Sequence, residues 1–107
     1  MLMEHENCPC METCPLNRAM ALIGGKWKMQ ILCSLYNNGP TRYNQLKKAL
    51  DGVSNTVLAN ALRELEGDGL VHRQEYLEVP VRVEYAIPEP CRRLIPILDA
   101  LGDWSMA

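Results

Sequence analysis

Hydrophobic residues recur at helical spacing in several stretches of this chain. In the stretch after Ser54, apolar residues at i, i+3, i+4 and i+7 are typical of a helix lying on a core: Leu58, Ala61, Leu62 and Leu65. Ser54 is the expected N-cap of this helix, and Gly67 and Gly69 are expected to end it. The pattern predicts an amphipathic helix over about residues 55–66.

Other stretches predict four more helices. The first is expected between Cys14 and Gly24, with proline in the favoured first-turn position. The second runs from Lys26 to about Tyr36 and should bury Trp27, Ile31, Leu32 and Leu35. The third covers "YNQLKKAL", residues 43–50. The last begins near Pro88, and a kink is expected at Pro96.

Two β-rich runs, "LVHRQEY" and "VRVEYAI", are separated by "LEVP" and predict a hairpin with a longer loop. Thr41 and Arg42 fit either a short strand or the cap region of the third helix. The fold class is therefore mostly α with a small β-hairpin, an α+β arrangement. We expect residues 1–13 to form a flexible N-terminal segment and residues 14–107 to form one domain.

A tight helix-turn-helix followed by a hairpin is a winged helix. In such a domain the second helix of the pair enters the DNA major groove, and the hairpin, or wing, contacts the backbone or the minor groove. Gly67 and Gly69 let the chain reverse directly behind the reading helix, so that helix and hairpin face the same duplex.

The solvent side of the predicted reading helix carries few of the Glu and Lys residues that usually solvate a helix. The candidate DNA contacts of this helix and its cap are Ser54, Asn55, Thr56, Asn60 and Arg63. The competing interpretation is an ordinary exposed helix face. Contacts to phosphates are expected from Arg42, Lys47 and Lys48.

Two arginines of the hairpin, Arg73 and Arg82, are candidate wing contacts to DNA. Their competing role is to pair with Glu75 and Glu84 inside the hairpin.

The blocks "LIGGKWKMQIL", "GPTRYNQLKKALDGVSNTVLANALRELEGDGLV" and "RVEY" resemble the signature blocks of the HxlR family of bacterial winged-helix regulators across about residues 14–104. The resemblance implies a homodimeric, DNA-binding regulator of transcription that dimerises through its terminal helices. The chain departs from the family pattern at Thr56, where a lysine is frequent, at Ala59, where a hydroxyl residue is frequent, and at Val81, where a second proline is frequent. The first two departures affect the reading face and therefore the operator sequence.

A surplus of apolar residues on the two terminal helices also favours a homodimer. At 100° per residue, the apolar residues of each helix cover an arc wider than one core contact needs. In the first helix they are Leu16, Ala19, Met20, Leu22 and Ile23, and in the last they are Leu94, Ile97, Leu98, Ala100, Leu101 and Trp104.

The formal net charge of −2 is unevenly distributed. All eleven Lys and Arg residues lie between Arg18 and Arg93, a segment with a formal charge of +3, whereas the remaining acids lie near the ends of the chain. The ends are therefore expected to face away from a polyanion. No apolar run approaches the length of about 18 residues that a membrane span needs, and we expect a cytoplasmic protein with no membrane partner.

Five cysteines, an odd number, favour reduced thiols over a disulfide framework. Cys14 is expected at the N-cap of the first helix, where the helix dipole favours a thiolate. The HxlR resemblance implies that Cys14 senses oxidants or electrophiles, as in a subgroup of that family; a plain capping cysteine is the alternative. Cys33 is expected to be buried, and Cys91 to lie near the start of the last helix.

His5, Cys8, Cys10 and Cys14 lie within ten residues, but their spacing lacks the paired form of a structural zinc site. We expect no bound metal and no cofactor, and no paired-carboxylate or nucleophile motif indicates an enzyme. The main prediction is a transcription factor that binds double-stranded DNA. The alternatives are a small thiol- or metal-binding regulator that uses the N-terminal cysteines and a winged helix that binds only protein.

Overall fold

The computed structural model describes residues 15–107, and the predicted flexible segment 1–13 and Cys14 lie outside this range. Within it the chain forms five α-helices, three β-strands and a short 3₁₀ turn. The helices are α1 (Pro15–Ile23), α2 (Lys26–Asn38), α3 (Tyr43–Ala49), α4 (Asn55–Gly67) and α5 (Leu94–Met106). The strands are β1 (Thr41–Arg42), β2 (His72–Tyr76) and β3 (Arg82–Ala86), and the 3₁₀ turn is Glu89–Arg93.

The core is centred on α2, which packs against α3, α4, α5 and β3. The apolar edge predicted for α4 is buried as expected, and α2 buries Ile31, Leu32 and Leu35 beneath it. Trp27 is half-buried at the margin of this core. Because α2 contacts so many elements, it fixes the orientation of the helix-turn-helix formed by α3 and α4.

The turn between α3 and α4 is short and internally bonded. The backbone N–H of Val53 donates to the carbonyl of Leu50 at 3.3 Å, and Gly52 takes a φ of 87°, a left-handed conformation that favours glycine. Leu50 and Val53 are both buried, so the turn is anchored to the core on each side of Gly52. This anchoring sets the position at which α4 begins.

The three strands form one antiparallel sheet in the order β1-β3-β2. Tyr76 stands opposite Arg82 in the hairpin, and Arg42 of β1 stands opposite Glu84 on the other side of β3. The predicted hairpin and the α+β class are confirmed. Thr41 and Arg42 serve both of the roles left open for them, since they pair with β3 and Arg42 is also the N-cap of α3.

Trp27 was expected to be buried and is only half-buried, because it lies at the margin of the core, and three further details differ from the sequence-based expectations. First, α2 continues two residues past Tyr36, to Asn38, where Gly39 caps it with a φ of 73°. Second, the last helical stretch is 3₁₀ over Glu89–Arg93 and becomes α only at Leu94, so that Pro96 lies in the first turn of α5. Third, Cys33 is half-buried, because its side of α2 faces a gap beside α5.

None of the helices described here is long and apolar enough to cross a membrane.

Candidate DNA-binding surface

The first turn of α4 is fixed by its cap. The Ser54 hydroxyl oxygen accepts a hydrogen bond from the backbone N–H of Val57 at 3.1 Å, as predicted for an N-cap serine. Asn55, Thr56 and Asn60 are exposed, whereas Ala59 is half-buried. The start of α4 therefore offers polar side chains to solvent from a backbone whose position is defined.

Asn60 and Arg63 lie one turn apart and are paired with each other. The guanidinium of Arg63 donates a hydrogen bond to the Oδ1 atom of Asn60. This contact leaves both amide protons of Asn60 and the other guanidinium protons available as donors. The two residues form a single exposed donor group on the solvent face of α4.

Tyr43 links the two helices of the motif. Its hydroxyl lies 3.1 Å from the backbone oxygen of Asn55 and 3.2 Å from the Oδ1 atom of Asn55. The single hydroxyl proton is shared between the two acceptors, so the start of α3 orients the side chain of Asn55. The sequence did not indicate this contact, which joins residues twelve apart and depends on the path of the turn.

The three cations expected to hold phosphates lie on or beside α3. Arg42 and Lys48 are exposed, and Lys47 is half-buried. Within residues 15–107 none of the three forms an ion pair. Lys47 and Lys48 lie in the last turn of α3, where positive charge is also favourable for the helix dipole. The charges of Lys47 and Lys48 are available to an external anion, whereas the charge of Arg42 also acts on the Glu78 carboxylate.

Arg82 is held inside the hairpin by three groups. Its guanidinium contacts the carboxylates of Glu78 and Glu84, each at 2.8 Å, and stacks 3.8 Å from the centroid of the Tyr76 ring. The hydrogen bond from Arg82 lowers the pKa of the Glu78 carboxyl, and the positive charges of Arg82 and Arg42 lower it further. The same two carboxylates raise the pKa of Arg82.

Arg73 has a similar position on the neighbouring strand. It contacts Glu75 at 3.2 Å, and hydrogen bonds to Tyr85 and then to Glu75 raise its pKa. Arg73 and Arg82 thus both form ion pairs inside the hairpin, which was the competing role. A DNA contact by either arginine stays a prediction.

The loop at the end of the hairpin carries an apolar tip that the sequence analysis did not single out. Leu77 is 95% exposed, Val79 is fully exposed and Val81 is more than half exposed. The sequence alone gives no signal for this exposure, because Leu77, Val79 and Val81 continue the alternation of the following strand. Val57, in the first turn of α4, is a further exposed apolar residue that was missed. A valine there can contact a thymine methyl group.

The terminal helices present a second surface, which is apolar. The large exposed side chains are Leu16 and Met20 on α1, and Ile97, Leu101 and Trp104 on α5. Trp104 is 75% exposed and Ile97 is 63% exposed. Within the described chain nothing covers these side chains, although both helices also contribute residues to the core.

The described thiols are Cys33 and Cys91, and both are free. Partial burial, and then the nearby charge of Asp99, raise the pKa of the Cys33 thiol. From residue 15 onward no three His, Cys, Asp or Glu side chains are placed to hold a metal ion. The N-terminal group of His5, Cys8, Cys10 and Cys14 lies outside the described residues.

The model of the HxlR-like helix-turn-helix family matches residues 22–107 of this chain. The chain belongs to this family. One similar protein is YdzF of Bacillus subtilis, named an uncharacterized HTH-type transcriptional regulator. It is 41% identical over 93 residues, which cover 87% of this chain and 85% of YdzF.

Two solved structures of redox regulators resemble this HxlR-family chain. The redox regulator HypR in its oxidized form is 36% identical, with a TM-score of 0.80 over 87% of this chain and 95% of HypR. The reduced form of the transcriptional regulator YodB from B. subtilis is 31% identical, with a TM-score of 0.77 over 87% of this chain and 91% of YodB. These comparisons identify a transcriptional regulator of winged-helix type.

Proposed function

We propose that this chain is a sequence-specific, DNA-binding regulator that acts in the cytoplasm as a homodimer on an inverted-repeat operator. The observation that carries the proposal is the start of α4, where Ser54 caps the helix and Tyr43 orients Asn55 beside exposed Asn60 and Arg63. Helix N-termini with short polar side chains suit contacts to base edges in the major groove. Arg42, Lys47 and Lys48 would hold the flanking phosphates.

Homodimer formation is supported by the uncovered apolar side chains of α1 and α5. Burying them against a symmetry mate would place two copies of α4 about one DNA turn, roughly 34 Å, apart. This spacing fits one half-site per protomer.

The test is binding to a duplex of random sequence at several salt concentrations. Association with DNA releases counterions, so affinity should fall with a slope of about 0.9 log units per log unit of salt for each phosphate held. Fluorescence anisotropy of a labelled duplex measures this slope. Absence of binding at low salt would contradict the proposal and would favour a winged helix that contacts only protein.

We also propose that Cys14 makes this regulator responsive to oxidants or electrophiles. The support is the similarity to HypR and YodB, together with the position of Cys14 in the sequence directly before α1. Because α1 contributes to the proposed dimer surface, an adduct or an intersubunit disulfide there would change the spacing of the two reading helices.

Two measurements test the role of Cys14. Mass spectrometry after limited alkylation should show that Cys14 reacts before Cys33, whose raised pKa keeps its thiol protonated. DNA binding should then be lost on oxidant treatment in the wild type and retained in Cys14→Ser. Equal loss in the two proteins would show that Cys14 is only a capping residue.

A further inference from the structure

A cavity of about 520 Å³ lies between α1, the 3₁₀ turn and the start of α5. Its walls are almost entirely apolar: Ala19, Leu22 and Ile23 from α1, Leu70 from the segment after α4, and Leu94 and Ile97 from α5. A volume of about 300 to 1,000 Å³ and an apolar lining are usual for sites that take small organic ligands.

One cation lines this cavity, and it is unpaired. Arg93 is exposed at the cavity and forms no ion pair or ring contact with any residue from 15 to 107. Its neighbour Arg92 is different, because its guanidinium stacks on the ring of Tyr36 at 4.9 Å and does not line the cavity. The cavity therefore combines an apolar wall with one free guanidinium.

We infer that this cavity binds a small amphipathic carboxylate, with the apolar body against the leucine and isoleucine side chains and the carboxylate on Arg93. A guanidinium and a carboxylate form a charge-assisted, bidentate hydrogen bond. The apolar part of the ligand gains from leaving water, and Arg93 fixes its orientation.

One wall of the cavity is hydrogen-bonded to the end of the reading helix. The backbone N–H of Leu70, a wall residue, donates to the carbonyl of Leu65 in α4 at 2.8 Å. The thiol of Cys91, also a wall residue, donates to the carbonyl of Gly69 beside Leu70 at 3.1 Å. A ligand in the cavity therefore contacts Leu70, which is bonded to the end of α4, and Leu94 at the start of α5.

The test uses 4-phenylbutyrate as a probe, titrated into the full-length protein without DNA and followed by calorimetry. Binding should saturate at one probe per chain. Arg93→Gln should weaken it about tenfold, or ~1.4 kcal/mol, while the matched control Arg92→Gln leaves it unchanged. The uncharged 4-phenylbutyramide should bind the wild type about tenfold more weakly than the acid. Amide and methyl NMR shifts should centre on Leu22, Leu70 and Ile97, with the Trp104 indole unaffected.

Several results would overturn the inference. Absence of saturable binding would show that the cavity is closed or is filled by a second copy of the chain. Equal binding of acid and amide, or equal losses in the two arginine variants, would show that Arg93 does not recognise the carboxylate. Shifts centred on Trp104 would place the probe on the exposed apolar surface instead. Because DNA is absent, these outcomes do not depend on the proposed DNA binding, and light scattering of the same sample shows whether a second copy of the chain is present.

Discussion

Asn60 and Arg63 form one hydrogen-bonded group on the exposed face of α4, so replacing either residue changes what both present to DNA. Asn60→Ala and Arg63→Ala should each cost about 1 to 3 kcal/mol of discrimination between a selected duplex and a scrambled one. Lys47→Ala should weaken binding to both duplexes alike and lower the salt slope by about one. Titrations of both duplexes across a salt series separate these effects.

If all three variants lose the same affinity on both duplexes, Asn60 and Arg63 do not belong to the surface that reads the DNA sequence.

The ion pair between Glu78 and Arg82 predicts a pH dependence of stability. Glu78 has its pKa lowered below the ordinary value of 4.5, so its contribution is present at neutral pH and is lost as the pH falls through the lowered value. Urea midpoints should therefore drop between about pH 7 and about pH 3, and drop less in Glu78→Gln.

The matched control is Glu89→Gln, since Glu89 is exposed and forms no ion pair with the other described residues. A Glu78→Gln protein with the same acid sensitivity as Glu89→Gln would mean that the ion pair with Arg82 does not contribute in solution.

Residue-level features that depend on local spacing were predictable, and those that depend on tertiary contacts were not. The Ser54 cap follows from a serine placed directly before an apolar helical pattern. The contact between Tyr43 and Asn55, and the exposure of Cys33 beside α5, depend on where other elements pack. Pairing of Arg82 with Glu84 was anticipated from strand spacing, but the contribution of Glu78 depends on the path of the loop.

Among the elements, α4 begins at a serine whose side chain caps the helix. Ser54→Ala removes the acceptor for the Val57 N–H and should lower the free energy of unfolding by about 1 kcal/mol. It should also weaken DNA binding, because the first turn of α4 carries Asn55 and Thr56. Urea denaturation measures the first effect, and DNA titration measures the second.

Ser105→Ala is the matched control, because Ser105 is exposed near the C-terminus and its hydroxyl bonds only to the carbonyl of Gly102. Equal losses of stability in the two variants would contradict the assignment of Ser54 as the cap.

The order of elements was predictable because helical and strand periodicities alternate with clear glycine and proline signals. The whole apolar edge of α4 is buried, and both hairpin strands are present. The sequence left open whether Thr41 and Arg42 form a strand or a helix cap, because two residues are too few to show a period. They form β1 by pairing with β3. The change from 3₁₀ to α geometry at Leu94 was not anticipated, because no residue in the sequence marks it, and the kink at Pro96 stays a prediction.

For the whole molecule, the apolar surface of α1 and α5 predicts a dimer. Trp104 is largely exposed, so Trp104→Glu should leave the protomer folded while weakening self-association by about 1 to 2 kcal/mol. Light scattering at micromolar concentration should show a dimer for the wild type and a lower mass for this variant.

Leu77→Glu is the matched control, since Leu77 is also a large apolar residue and is 95% exposed, but it lies at the tip of the hairpin. A monomeric wild type, or the same loss of mass in both variants, would exclude α1 and α5 as the dimer surface.

The central claim is that two symmetry-related copies of α4 read one operator. Selection of tight-binding duplexes from a pool of random sequence tests it most directly. We expect the enriched duplexes to share an inverted repeat whose half-sites are centred about 10 base pairs apart, and Asn60→Ala to reduce the enrichment. Enrichment of a single unrepeated site, or of no sequence at all, would contradict it.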